Sequence, residues 1–135
     1  MSKVKKAGCI LVDLDKKSVA LVYRDYYDDY SFPKGHLEDG ETLVECAIRE
    51  TAEETKRDCI LLERDPVAIE RYTTPRGEDC EVYYYLVKDI GHSDNDSSEV
   101  HDTYWVKFNE VRDKLSYDNL KDMWDEVYLK IKKYL

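Results

Sequence analysis

Six residues in one short run have the types and the spacing to do chemistry. Gly35, Glu41, Arg49, Glu50, Glu53 and Glu54 spell Gly-x5-Glu-x7-Arg-Glu-x2-Glu-Glu. Glu50, Glu53 and Glu54 stand at i, i+3 and i+4, so on a helix their carboxylates share one face. Three like charges that close repel one another. Two readings are open for them alone. One is a solvated acidic helix face. The other is a site for a hard divalent cation, because Mg2+ takes carboxylate oxygens together with substrate phosphates. The full six-position pattern narrows the choice. At about one position in fifteen to twenty per residue type, it arises by chance on the order of once in ten million starts.

The elements around this run must position it. Thr42 to about Lys56 is expected to be a helix, with Val44, Ile48, Thr51 and Thr55 as one buried stripe. At 100° per residue the stripe lies roughly 130° from the centre of the three glutamates, leaving one face for the core and one for chemistry. Val4–Val12 reads as a strand and Val19–Arg24 as its hairpin partner. Asp25–Ser31 reads as a Tyr/Asp-rich loop. Phe32-Pro33-Lys34-Gly35 is short and extended, since Pro33 biases Phe32 away from helix. Cys59–Leu62, Val67–Thr73 and Glu81–Lys88 are expected strands, with a turn at Thr74–Gly77. Asp89–Asp102 reads as a polar loop and Thr103–Phe108 as a last strand. A second helix is expected over Tyr117–Tyr134, with Leu120, Trp124, Val127 and Ile131 inward. Strands interleaved with two amphipathic helices predict an α/β chain with helices on both faces of a mixed sheet.

The run from Gly35 to about Arg57 resembles the signature box of the Nudix hydrolases, and the layout of nearly all 135 residues is similar to that family. The resemblance implies an α/β/α sandwich in one domain, residues 1–135. It departs at the end of the box, where the family usually has Gly and an aliphatic residue and this chain has Lys56 and Arg57. That departure bears on how the helix ends, not on any expected metal ligand. The resemblance further implies attack of water on a pyrophosphate bridge of a nucleoside diphosphate derivative, assisted by Mg2+ or Mn2+. Glu50, Glu53 and Glu54 are then the metal ligands or the water-activating base, with the Gly35 carbonyl as a further ligand. Arg49, too basic to act as a base, would pair with Glu41 or Glu50 and fix carboxylate orientation. Glu99, shortly before the last strand, completes the metal site or serves as base in many relatives; a solvated loop residue is the alternative.

Outside the box, Lys5, Arg24, Lys34 and Arg76 are candidate phosphate holders, as is His36 beside Gly35. Each has an ordinary reading as a rim charge or structural histidine. Among twelve tyrosines, Tyr83 and Tyr85 share one side of their strand and Tyr84 takes the other. Tyr72, Tyr83 and Tyr85 are candidates for stacking on a base, with core packing as the alternative. Phe32-Pro-Lys-Gly-His36 and the closing segment Tyr104-Trp-Val-Lys-Phe resemble diadenosine polyphosphate hydrolases, which points to a dinucleoside polyphosphate. Nucleoside triphosphates, nucleotide sugars, diphosphoinositol polyphosphates and 5′-triphosphate RNA stay open, as does a ligand sensor without turnover.

A net charge of −9 argues against broad nucleic-acid binding, which needs a basic surface. It does not exclude polyphosphates, because a bound metal inverts the local field. Four widely spaced cysteines contain no Cys-x2-Cys pair, so reduced thiols in a cytoplasmic setting are expected. No signal sequence and no membrane span are expected either.

Overall fold

The computed structural model describes residues 3–95 and 101–135. The chain runs through β1 (Val4–Asp13), β2 (Ser18–Arg24), β3 (Asp29–Ser31), β4 (Lys34–His36), α1 (Leu43–Thr55), β5 (Arg57–Leu61), β6 (Ala68–Thr73), β7 (Asp79–His92), β8 (Asp102–Lys107), α2 (Val111–Lys114) and α3 (Asp118–Ile131). The strands form one sheet with the central order β3-β2-β1-β7-β5, to which β4, β6 and β8 are added. β1 and β7 pair in parallel over nine residues and the other pairings are antiparallel. The sheet is therefore mixed, as expected.

Alternation along the strands divides the core. Ile10, Val12, Leu21, Val82, Tyr84 and Leu86 pack on Leu120, Trp124, Val127 and Ile131 of α3. Ala7, Cys9, Leu11, Tyr85 and Val87 pack on Cys46 and Ala47 of α1. One helix covers each face, which gives the expected α/β/α sandwich. Trp124 adds a stacked contact to Tyr128, with centroids 5.9 Å apart, inside an aromatic group with Phe32 and Phe108. All four cysteines are buried and free. Among the described residues no helix is long and apolar enough to cross a membrane.

Several boundaries differ from the sequence reading. The loop expected over Asp25–Ser31 ends early, because Asp29–Ser31 pairs with β2. Lys34–His36 pairs with Lys6–Gly8 of β1. This approach requires Gly8: a Cβ there would lie 2.2 Å from the Pro33 carbonyl oxygen. β7 runs on to His92 rather than stopping at Lys88, since β5 starts directly after α1 and offers Arg57 and Asp58 as partners to His92 and Gly91. The expected loop is shorter by that much. α3 starts and ends close to expectation, with its predicted inner residues all buried.

The start of α1 is fixed by a capping box. The Thr42 hydroxyl accepts from the Glu45 N–H at 3.1 Å and the Glu45 carboxylate accepts from the Thr42 N–H at 2.9 Å. The helix ends at Lys56, which takes the left-handed conformation at φ 58° that glycine usually supplies. Its N–H bonds the Ala52 carbonyl and its ammonium donates to the Asn95 carbonyl.

The buried stripe of α1 is rotated from the predicted one. Cys46, Ala47, Glu50, Thr51 and Thr55 are buried, while Val44 and Ile48 lie half-buried at the margin. Small residues at 46 and 47 let the helix sit close to the sheet. The rotation carries the Glu50 carboxylate into the interior, where it is 7% exposed.

Candidate active site

Two residues that the sequence separates by fifteen positions meet at the sheet–helix junction. β4 brings Gly35 against α1, and a Cβ on Gly35 would lie 2.0 Å from Glu50 Cδ. Only glycine lets the two backbones close on a carboxylate there. The Gly35 carbonyl also receives the Cys46 thiol at 3.6 Å.

Arg49 organises the acidic residues. Its Nε and Nη2 donate to both oxygens of Glu41, at 2.6 and 3.0 Å. Its Nη1 donates to Glu50 Oε1 at 2.9 Å and to both Glu53 oxygens at 3.2 Å. Its Nη2 also donates to the His36 carbonyl at 3.0 Å. The sequence reading had Arg49 with Glu41 or Glu50; it holds both, and Glu53 besides. The fork geometry of guanidinium is what permits this. Arg49 holds the Glu41 carboxyl below its ordinary range.

Glu54 is held separately. Its Oε1 accepts the Lys34 N–H at 3.1 Å, and His101 Nε2 lies 3.7 Å from Oε2. The His101 N–H also bonds the Glu54 carbonyl at 3.0 Å. Burial pushes the Glu54 carboxyl up to about 8; the Lys34 N–H opposes the rise and the Glu50 charge adds to it.

Lys34, Gly35, His36, Arg24, Arg49, Glu50, Glu53 and Glu54 line one cleft of about 810 Å³. A second cavity of about 490 Å³ adjoins it, between β6 and the start of α3. Lys6, Arg24 and Lys34 line both, so they form a cationic ridge between the two spaces. Burial, and after it the Lys6 charge, lowers the Lys34 ammonium. Burial, Lys6 and Lys34 likewise lower His36. Cations crowded in this way favour an anion among them.

Arg24 is held rigidly. Its Nε and Nη2 donate to the two oxygens of buried Asp29 at 2.8 and 2.6 Å, and the Tyr117 hydroxyl donates to the same carboxylate. Tyr72 stands in the second cavity. Its hydroxyl accepts from the Lys6 ammonium at 2.9 Å, and the Lys6 and Lys34 ammoniums lie 5.5 and 5.9 Å from its ring centre.

The remaining sequence candidates are elsewhere. Tyr83 and Tyr85 line neither cavity; they lie on the α1 side of the sheet, Tyr85 in the core and Tyr83 bonded to Glu81 at 3.2 Å. Lys5 is on that side too, 5.9 Å from the Tyr83 ring centre. Arg76 is on the exposed turn after β6 and lines neither cavity. Glu99 lies outside the described residues. The structure adds Lys6 and His101. Strand alternation was the signal for Lys6, which shares a face with Ile10 and Val12.

The donor set suits a hard cation: three carboxylates and a backbone carbonyl, all oxygen. Burial chiefly, and the Glu50 charge after it, raise the Glu54 carboxyl, and a cation between the two would favour its charged form. Among the described residues no three acidic, histidine or cysteine side chains are gathered at ligand distance, because Arg49 holds Glu50 and Glu53 and the Lys34 N–H holds Glu54.

Comparison with known proteins shows the family. The sequence profile of the NUDIX domain matches residues 3–126. An 8-oxo-(d)GTP phosphatase of Mycolicibacterium smegmatis is 35% identical over 99 residues, which cover 73% of this chain and 30% of that protein. A putative mutator protein MutT4 of Mycobacterium tuberculosis is 35% identical over 107 residues, 76% of this chain and 43% of that protein. The chain thus spans less than half the length of either. Among solved structures, a NUDIX hydrolase from Nitrosomonas europaea superposes with a TM-score of 0.79 at 17% identity, covering 96% of this chain and 90% of that one. A C. elegans Ap4A hydrolase binary complex gives 0.77 at 23%, covering 96% and 98%. At these identities the superpositions speak to the fold. With the domain match over nearly its whole length, the chain belongs to the Nudix hydrolase family.

Proposed function

We propose that this protein hydrolyses a pyrophosphate linkage in a dinucleoside polyphosphate, using Mg2+ or Mn2+ held by Glu50, Glu53, Glu54 and the Gly35 carbonyl. The observation that carries the substrate reading is the ridge of Lys6, Arg24 and Lys34 between the acidic cleft and the Tyr72 cavity. A phosphate chain needs cations along its length, a reacting position beside the carboxylates, and a place for a base beyond. The ridge supplies the first, the cleft on one side of it the second and the cavity on its other side the third.

When bound, the metal would neutralise phosphoryl oxygens and make a water nucleophilic at neutral pH. The residues of the chain do the rest. Arg49 keeps Glu41, Glu50 and Glu53 in fixed relative positions, so little reorganisation accompanies charge development. Lys34 holds Glu54 through its N–H, and its ammonium faces the ridge, so one residue ties the carboxylates to the phosphate path. Asp29 takes the Nε/Nη2 edge of Arg24 and so fixes the guanidinium, whose Nη1 would serve a phosphate oxygen. Tyr72 offers a ring to a base, with the Lys6 ammonium held at its hydroxyl end.

A nucleoside triphosphate is the second reading, favoured by the 35% identical relative named as an 8-oxo-(d)GTP phosphatase. One competition assay separates the two. Equal amounts of diadenosine tetraphosphate, 8-oxo-dGTP and the common nucleoside triphosphates are incubated with enzyme and Mg2+, and products are resolved by chromatography. Preferential loss of the dinucleotide, with ATP among the products, is expected. Earlier loss of a triphosphate with accumulating pyrophosphate would replace the first reading with the second.

A further inference from the structure

His101 enters the acidic cleft just before β8 and has no part in the chemistry set out above. It meets Glu54 twice. Its N–H bonds the Glu54 carbonyl at 3.0 Å, and its Nε2 lies 3.7 Å from Glu54 Oε2. The first contact serves a carbonyl in the last turn of α1, one of the four that a helix leaves without an internal partner. The very next residue, Asp102, pairs with Tyr23 and starts β8. Helix and sheet together therefore fix where His101 stands.

The second contact is too long for a direct hydrogen bond. Among the described residues nothing else engages the imidazole, although most of it is buried. The other donors at the carboxylates are already spent. Arg49 gives its N–H groups to Glu41, Glu50, Glu53 and the His36 carbonyl. The Lys34 N–H goes to Glu54 Oε1. Ionised carboxylates only accept. An oxygen-rich group brought in among them therefore finds an open partner in His101 Nε2. A largely buried hydrogen-bonding group left open on a cleft wall calls for such a partner.

Its position says which part of the ligand that is. Lys6, Arg24 and Lys34 line both the acidic cleft and the Tyr72 cavity, whereas His101 lines the cleft alone, with Glu50, Glu53 and Glu54. It is placed for the reacting phosphates and not for the base. We propose that His101 is a further substrate-contacting residue, its Nε2 donating to a phosphoryl oxygen of the pyrophosphate bridge held beside Glu54. This rests on the carboxylates being the reacting site, as proposed above, and not on which nucleotide carries the bridge.

The test uses His101→Leu, which removes the donor, and His101→Gln, whose side-chain amide can supply one in its place. With Mg2+, kcat/KM is measured on diadenosine tetraphosphate and on 8-oxo-dGTP. Mn2+ binding to each free variant is followed by electron paramagnetic resonance. On whichever substrate is turned over, His101→Leu should lower kcat/KM about tenfold or more, the size of one hydrogen bond to a charged group. His101→Gln should recover most of that loss. The Mn2+ dissociation constant should stay within about twofold in both, which also shows that the fold and the carboxylates are intact. Unchanged kcat/KM in His101→Leu would overturn the proposal. A Gln variant as slow as the Leu variant would overturn it too, since the donor would then not be what counts. Mn2+ binding that weakens in step with activity would do the same, because His101 would then act through Glu54. Glu54→Gln, run alongside, separates this from the reading beneath it. If that variant matches the parent protein in both turnover and Mn2+ binding, the carboxylate site is wrong and the His101 proposal falls with it. Turnover of 8-oxo-dGTP alone would replace the dinucleotide reading, and the His101 variants are then judged on that substrate.

Discussion

The Glu50 carboxylate occupies the space that a side chain at residue 35 would fill, with its Cδ 2.0 Å from where a Cβ would stand. The glycine at the start of the box is therefore a steric requirement of the acid fifteen residues later. Gly35→Ala should displace Glu50 and lower kcat by about a hundredfold or more. The fold should persist, because the clash is with the end of a side chain. Circular dichroism and steady-state kinetics on the same preparation check this; near-normal turnover would show that the Glu50 position is not needed.

Glu53→Gln and Glu54→Gln keep shape and remove charge. Each is expected to reduce turnover about a hundredfold or more with little change in thermal midpoint. Normal turnover in both would show that the reaction does not run through these carboxylates.

How much of this was readable beforehand follows from how local each feature is. The three glutamates lie within five residues of one helix, so spacing alone put them together. Arg49 adjoins them on the same helix, whereas its pairing with Glu41, which precedes that helix, came from the resemblance to the family's box. The ridge was not. Whether Lys5 or Lys6 faces the cleft depends on the pairing of β1 with β7, which sets Lys6 opposite Val82. The same pairing sends Tyr83 and Tyr85 to the α1 side. Tyr72 stayed on the cleft side because it pairs with Cys80. The rotation of α1 that buries Glu50 was missed because Cys46 and Ala47 are weak hydrophobic signals beside Val44 and Ile48. The end of β7 was missed because Asp89-Ile-Gly-His reads as a turn until β5 is known to lie alongside.

Lys56 invites a stability test. A non-glycine residue in the left-handed region costs on the order of 1 kcal/mol. Lys56→Gly should remove that cost and lose the bond to Asn95, for a net gain of about 0.5 kcal/mol. Lys56→Ala keeps the cost and loses the bond, so it should be destabilising. Denaturant midpoints of the two variants should therefore move in opposite directions; movement in the same direction would contradict this account of the helix end.

Asp29 links the Arg24 fork to pH. Burial alone would raise its carboxyl, but the bonds from Arg24 and Tyr117 outweigh burial and hold it below the ordinary value of 3.8. A carboxyl depressed in the folded state contributes stability above its unfolded pKa, and the contribution is lost as pH falls through the folded one. Asp29→Asn should therefore cost about 2 kcal/mol at pH 7. The gap to the parent protein should close as pH is lowered below about 3.8. Urea unfolding at pH 7 and pH 3 measures both; a gap unchanged at pH 3 would assign the cost to packing.

The central claim is that the α1 carboxylates and Gly35 hold a divalent cation for attack of water on a pyrophosphate bridge. The most direct test follows hydrolysis of diadenosine tetraphosphate in 18O-labelled water, with Mg2+, with excess chelator, and after Mg2+ is restored. The account predicts activity that vanishes with chelator and returns with Mg2+, with one labelled oxygen in a product phosphate. Full activity in excess chelator would contradict it.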